Sequence, residues 1–217
     1  MIPTPATAVR PSQDEEELSD GRRLRAERNR DSVVSAVLEI IREQGGGPIP
    51  GAAEVAERAG VSERTVFRHF ADLDTLFLAA ATRQRPILES YLTPRPDMKE
   101  LDKRIGAVVR LRSKMYEEIS PVRRVAVRLA SAHESIARVV AEANRAGRSQ
   151  LADVFAAELR KAARERSLLL DELELLTSWS TWETLRHQMG VSPERSRKVM
   201  SDMMLAAIAR HTGRRAR

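Results

Sequence analysis

Apolar positions recur at helical spacing along most of the chain and nowhere alternate with period two, so the pattern predicts an all-α fold without internal repeats. The first clear stripe is Val33, Val34, Val37, Leu38, Ile40 and Ile41. It predicts a helix from about Arg25 to Gln44, ended by Gly45, Gly46, Gly47 and Pro48. A short alanine-rich helix follows over 51–59, Gly60 breaks it, and Ser62 is placed to cap a third helix running through Phe70. Asp72 is placed to cap a fourth, which carries Leu73, Leu76, Phe77 and Ala80 towards Tyr91 before Pro94 and Pro96 interrupt. Further helices are predicted near 98–118, 121–132, 134–163, 168–189 and 193–211. The expected organisation is a disordered tail over 1–24, a three-helix unit over 25–71 and a larger helical bundle over 72–211.

Within the three-helix unit, the run from Val55 to Phe67 pairs two short helices across a glycine, with Ala56, Val61 and Val66 spaced for contact between them. This is the helix-turn-helix pattern. A small Ala56 lets the helices approach, Gly60 takes backbone angles that a side chain disfavours, and Val61 and Val66 fill the angle between them. The positions facing away are Ser62, Glu63, Arg64, Thr65, Phe67 and Arg68, near the N-terminus of the third helix where such helices meet base edges. Arginine spans guanine O6 and N7, so Arg64 and Arg68 are the best candidates for direct base contact; Glu63 is suited to cytosine N4, and Ser62 and Thr65 to phosphates. The competing reading makes Glu63, Arg64 and Arg68 merely the solvated face of a surface helix. Phe70 and Phe77 are expected in the core, since a small unit concentrates its few aromatics where area is needed.

From Val33 to Phe77 the sequence resembles the TetR-like family of bacterial transcriptional regulators, whose pattern I-A-x-x-A-G-V-S-x-x-T-[LV]-[YF]-x-[HY]-F corresponds here to Val55 through Phe70. Gly60-Val61-Ser62, Thr65 and His69-Phe70 fall in register with it, which adds His69 to the expected DNA-binding residues. The resemblance implies a third helix lying in the major groove of double-stranded DNA. It also implies a homodimer addressing a palindromic operator, a larger domain that binds a small-molecule effector and dimerises, and a repressor released by that effector. At three positions many relatives carry another residue: tyrosine where Phe67 stands, lysine where Leu73 stands and threonine where Gly51 stands. Three backbone contacts are thereby put in doubt, each part of a salt-dependent, sequence-independent attraction.

Charge bears on that deficit. The 37 Lys+Arg residues against 31 Asp+Glu give a net charge of +6, and all but five of the cations are arginine. An arginine-rich proteome explains this bias as well as phosphate recognition does, so distribution matters more than the total. Arg22, Arg23, Arg25, Arg28 and Arg30 fall within nine residues just ahead of the first apolar stripe. They form either a solvated basic tail or a substitute set of contacts, with Arg22, Arg23 and Arg25 in the adjacent minor groove and Arg28 and Arg30 on phosphates.

The larger domain carries apolar stripes around Leu175, Trp179 and Trp182 and along Val199, Met200, Met203, Met204, Ala207 and Ile208. Either they line the protomer's own core or, as the resemblance implies, Leu175, Trp182, Val199, Met200, Met203 and Ala207 form a dimer seam. Tyr91, Met115, Tyr116, Phe155 and Trp179 are candidate effector-binding residues, because ligand pockets are mostly apolar with few polar anchors. Apart from His69, the histidines at 133, 187 and 211 stand singly without companions at ligand spacing, so neither a metal nor a cofactor is expected. No G-x-S-x-G, H-E-x-x-H or Walker loop occurs, which argues against an enzyme, and Glu117-Glu118 and Glu172/Glu174 read as solvated helix faces. The absence of cysteine and of long apolar runs points to a soluble cytoplasmic protein with no membrane partner. Two rival readings stand beside the regulator: a dimeric ligand-binding or scaffold protein of the same fold with weak DNA binding, and a nonspecific architectural DNA binder.

Overall fold

In the computed structural model, residues 13–93 and 95–213 are described, and among them every regular element is helical. The first helix, α1, spans Gln13–Glu43 and so begins twelve residues before the expected start at Arg25. Residues 13–24 of the expected tail are thus helix, while residues 1–12 lie outside the described residues. Glutamate, leucine and arginine are good helix formers, and adding turns to a helix whose later half is docked needs no apolar surface of its own. Its buried stripe Val33, Val34, Val37, Ile40 and Ile41 is the one read from the sequence.

Helix α2 (Ala52–Ala59) and helix α3 (Glu63–His69) pack against α1, and α4 (Leu73–Thr82) closes the unit. Val33, Val37, Val55, Val66, Phe70, Leu76 and Phe77 share one core, so the N-terminal core continues past residue 71 into α4. Asp72 caps α4 by accepting from the Thr75 backbone N–H at 2.7 Å, as Ser62 caps α3 through the Thr65 N–H at 3.2 Å. Helix α5 (Arg85–Leu92) follows, so the predicted single helix towards Tyr91 is two helices, broken around Arg83 and Gln84.

Helix α6 runs unbroken over Leu101–Ala130, with Pro121 inside it, where the sequence suggested a break between 118 and 121. A proline removes one backbone bond, but residues on both sides are fixed by burial. Met115, Tyr116 and Ile119 lie in a second, C-terminal core, and Val122, Val125 and Ala126 lie in the N-terminal one. One helix therefore belongs to both cores. The expected helix over 134–163 divides at the fully buried Phe155 into α7 (Glu134–Val154) and α8 (Ala156–Lys161), followed by a short 3-10 turn. The expected 168–189 helix divides likewise into α9 (Arg166–Leu176) and α10 (Trp179–Glu183), the second capped by Ser178, and ends in a π turn over Thr184–Gln188. The last helix, α11, spans Pro193–Thr212 and packs on α6 and α9.

Candidate nucleic-acid interface

Helix α3 is presented to solvent by its neighbours. Gly60 adopts φ +67°, in the left-handed region that lets the chain turn tightly from α2 into α3 at no steric cost. Val66 and Phe70 are buried beneath α3, with Val61 half-buried at the turn. On α2, Arg58 makes a two-pronged bond to Glu43 at the end of α1, 2.9 and 2.8 Å, and Ser32 Oγ donates to the Ala59 carbonyl at 3.2 Å. That guanidinium holds the Glu43 carboxyl below its ordinary range. Arg83 pairs with Asp31, which ties α4 to α1.

On this frame Ser62, Glu63, Arg64, Phe67 and Arg68 are exposed, and Thr65 and His69 are half-buried. Arg64 and Arg68 have no hydrogen bond or ion pair among the described residues, so both guanidinium forks are uncommitted. Ser62 and Thr65 are partly engaged with one another, their hydroxyls 3.0 Å apart. Phe67 is 47% exposed on the same side, an apolar ring among polar neighbours. Arg30 of α1 has a structural function that the sequence did not reveal: it donates to the His69 carbonyl at 3.2 Å and lies 4.6 Å from the Phe70 ring centroid, bracing the end of α3. Arg28 is exposed and donates to the Leu24 carbonyl at 3.3 Å. Arg23 and Arg25, expected in a minor-groove arm, lie within α1, where Arg23 stands 3.5 Å from Glu27.

In the larger domain, Met115, Tyr116 and Trp179 line a cavity of about 270 Å³ between α5, α6, α7 and α10. Tyr91 does not line it: its hydroxyl donates to Glu118 at 3.0 Å on the outer side of α6. Phe155 is fully buried core, because it forms the corner between α7 and α8. A second groove of about 340 Å³ adjoins between α4, α5 and α7 and shares Leu88, Leu92 and Ala143 with the first. The sequence did not single out Arg112 or Arg123, which also line the first cavity. Their spacing from Met115, Tyr116 and Ile119 on one face of α6 was the available signal.

The residues expected at a dimer seam divide. Trp182, Met200 and Ala207 are buried in the protomer's own core and offer no surface to a partner; Leu175 (65%) and Met203 (46%) are exposed, and Val199 is half-buried. Helix α11 is apolar on two adjacent faces: Met200, Met204 and Ile208 are buried and the half-buried Val199 packs against the same core, while Met203 is exposed beside them. A stripe read as one face in the sequence is therefore two. The carboxylates expected as solvated faces are paired: Glu117 with Arg186, Glu172 with Arg210 and His211, and Glu174 with Arg148. Among the described residues no cluster of three or more His, Cys, Asp or Glu is arranged to hold a metal, and no helix is long and apolar enough to cross a membrane.

A short α3 displayed by buried residues of α1, α2 and α4, with a larger helical domain behind it, defines an all-α helix-turn-helix protein. Residues 51–80 match the family model described as bacterial regulatory proteins, tetR family. Three solved structures share the fold. A tetR-family transcriptional regulator from Streptomyces coelicolor is 17% identical with a TM-score of 0.65, covering 88% of this chain and 90% of that one. A protein from Mesorhizobium loti MAFF303099 described as a tetR-family regulator is 19% identical with a TM-score of 0.60, covering 85% and 97%. A protein from Pseudomonas aeruginosa PAO1 described as a transcriptional regulator is 16% identical with a TM-score of 0.62, covering 86% and 93%. No curated protein matches the sequence. Residues 51–80 are thus similar to that family's segment, and the chain shares the fold of these three solved structures.

Proposed function

We propose that the protein is a ligand-responsive transcriptional repressor that binds a palindromic operator as a homodimer through α3. The observation that carries this reading is the displayed face of α3, where Arg64 and Arg68 are exposed and uncommitted above a core of Val66 and Phe70. Two such helices in a symmetric dimer address half-sites about 34 Å apart. Exposed Met203 on α11, with half-buried Val199 at its edge and exposed Leu168 and Leu175 on α9, is the surface we assign to the partner subunit. The effector occupies the cavity lined by Met115, Tyr116 and Trp179, and its binding alters the spacing of the two α3 helices through α4 and α6, which contact both parts of the molecule. The protein is proposed to act in the cytoplasm and to catalyse no reaction.

One observation favours the rival, a ligand-binding protein of this fold with weak DNA affinity: Phe67 is exposed on the DNA-facing side with no polar atom to offer a phosphate. Selection of random duplex DNA by the purified protein at roughly 150 mM salt, a concentration at which nonspecific phosphate attraction is weakened, separates the two. The regulator reading expects an enriched palindrome whose preference at one base pair is lost in Arg64→Ala, since a bidentate arginine–guanine contact discriminates by about 1–3 kcal/mol. Absence of enrichment favours the rival, and binding without sequence preference favours a nonspecific architectural protein.

A further inference from the structure

The larger domain neutralises most of its half-buried arginines with carboxylates. Arg124 pairs with Glu183 at 2.7 Å, Arg148 with Asp171 at 2.7 Å and with Glu174, and Arg104 with Glu158. Two arginines are exceptions, and both line the cavity between α5, α6, α7 and α10. Arg112 is 3% exposed, and its guanidinium donates only to backbone carbonyls, those of Thr177 at 3.2 Å and of Gly147 at 2.5 Å. Arg123 donates to the Asn144 side-chain carbonyl at 2.7 Å and lies 5.9 Å from the Trp179 ring centroid. Neither has a carboxylate partner among the described residues, and the Nε of each is buried without a hydrogen-bond partner. Glu174, the carboxylate at the cavity wall, is already engaged by Arg148.

A buried cation without a counter-charge is costly, because carbonyl dipoles replace only part of the lost hydration. Burial accordingly pushes the Arg123 guanidinium below its ordinary range. Arg112 and Arg123 are eleven positions apart on one face of α6, roughly 16 Å along the axis, with Met115, Tyr116 and Ile119 between them. The cavity wall thus reads cation, apolar, apolar, cation. Its volume of about 270 Å³, extended by the adjoining groove of about 340 Å³, reaches the ~300–1,000 Å³ range of small-molecule sites.

From this arrangement we infer that the cavity binds a small amphiphile with an anionic head group, carboxylate or phosphate, held at Arg123 with its apolar body along Met115, Tyr116, Ile119 and Trp179. Arg112, tied to Thr177 and Gly147, adds positive potential from the closed end of the same face. The inference takes its regulatory meaning from the ligand-responsive reading above, but the binding it asserts needs no DNA.

The test titrates the purified full chain, without DNA, with four probes of one chain length: octanoate, octyl phosphate, octan-1-ol and octylammonium. Binding is followed by calorimetry and by tryptophan emission, to which Trp179 reports from the cavity wall. The anionic probes are expected to bind about tenfold or more tightly than the alcohol, as hydrogen bonds to a charged group warrant, and the ammonium least well. Whichever anion binds better identifies the head group. Arg123→Gln is expected to lose the preference for the anion while keeping the affinity for octanol, and Arg123→Lys to retain most of the preference. Equal affinities, a preference for the ammonium, failure of all four to bind, or an anion preference that survives in folded Arg123→Gln would overturn the assignment. Anion binding by a protein that selects no operator would leave this inference standing and remove the regulator reading instead.

Discussion

Phe67 and His69 frame what single residues contribute to the interface. The Phe67 ring is exposed beside Arg64 and Arg68, and under the proposed docking of α3 a hydroxyl there would meet the DNA backbone, so Phe67→Tyr is expected to raise affinity for all sequences alike. One added hydrogen bond of about 1 kcal/mol corresponds to roughly fivefold, measured as equal tightening on operator and random duplexes. A change confined to the operator would mean that the ring touches bases. His69 carries a different consequence. Burial, aided by the neighbouring charges of Arg68 and Arg30, holds its imidazole below the ordinary value of 6.5. A group whose folded-state value is depressed takes up its proton more readily when unfolded. Its contribution is therefore complete above pH 6.5 and is lost as pH falls through the lower folded-state value. Chemical denaturation of the wild type is expected to show falling stability across that acidic window, and His69→Gln a flatter profile there. Identical slopes would assign the acid sensitivity to other groups.

At the scale of elements, the junction between the two parts rests on α6. Arg124 donates to the Gly45 carbonyl at 2.6 Å while pairing with Glu183 of α10, and Arg128 donates to Gly46 at 2.9 Å and also to Gly47. Between them Gly46 has φ +77°, and a Cβ there would stand 2.4 Å from the Pro121 carbonyl oxygen, a backbone atom unable to swing aside. Gly46→Ala is thus expected to destabilise the protein by about 2 kcal/mol or more and to lower Tm by several degrees, whereas Gly45→Ala, with open space around it, should cost less. Equal losses would mean that left-handed strain, common to both positions, outweighs the contact. None of this contact was legible in the sequence, where the three glycines read only as a helix stop. What was legible is local: the Ser62 and Asp72 caps, the Gly60 turn, and the burial of Val66, Phe70 and Phe77 follow from neighbours within a few residues. Pro121 misled because its effect is decided by two cores packed on either side of it, and the cavity arginines without carboxylate partners escaped notice because pairing across helices leaves no periodic trace.

For the whole molecule, the proposed regulator must achieve selectivity although each chain has one α3, since a single short helix reads too few base pairs to stand out among competing sites. Under the proposed function, two copies held at fixed spacing solve this, and the outer faces of α9 and α11 are where we place that constraint. Leu175 is 65% exposed and Met203 46%, on helices that pack against one another, and the inward residues Met200, Met204 and Leu173 already complete the core without them. Replacing both exposed residues, as Leu175→Asp with Met203→Asp, therefore removes the proposed partner surface while leaving the protomer's interior intact. The double variant is expected to sediment as a monomer with unchanged helical content, and to lose operator affinity by several hundredfold or more, because binding of each half-site then stands alone. Its weak residual binding should keep the base preference that Arg64 confers. A variant that remains dimeric would place the interface on another face of the molecule, and a monomer with full operator affinity would show that α3 acts without the second copy.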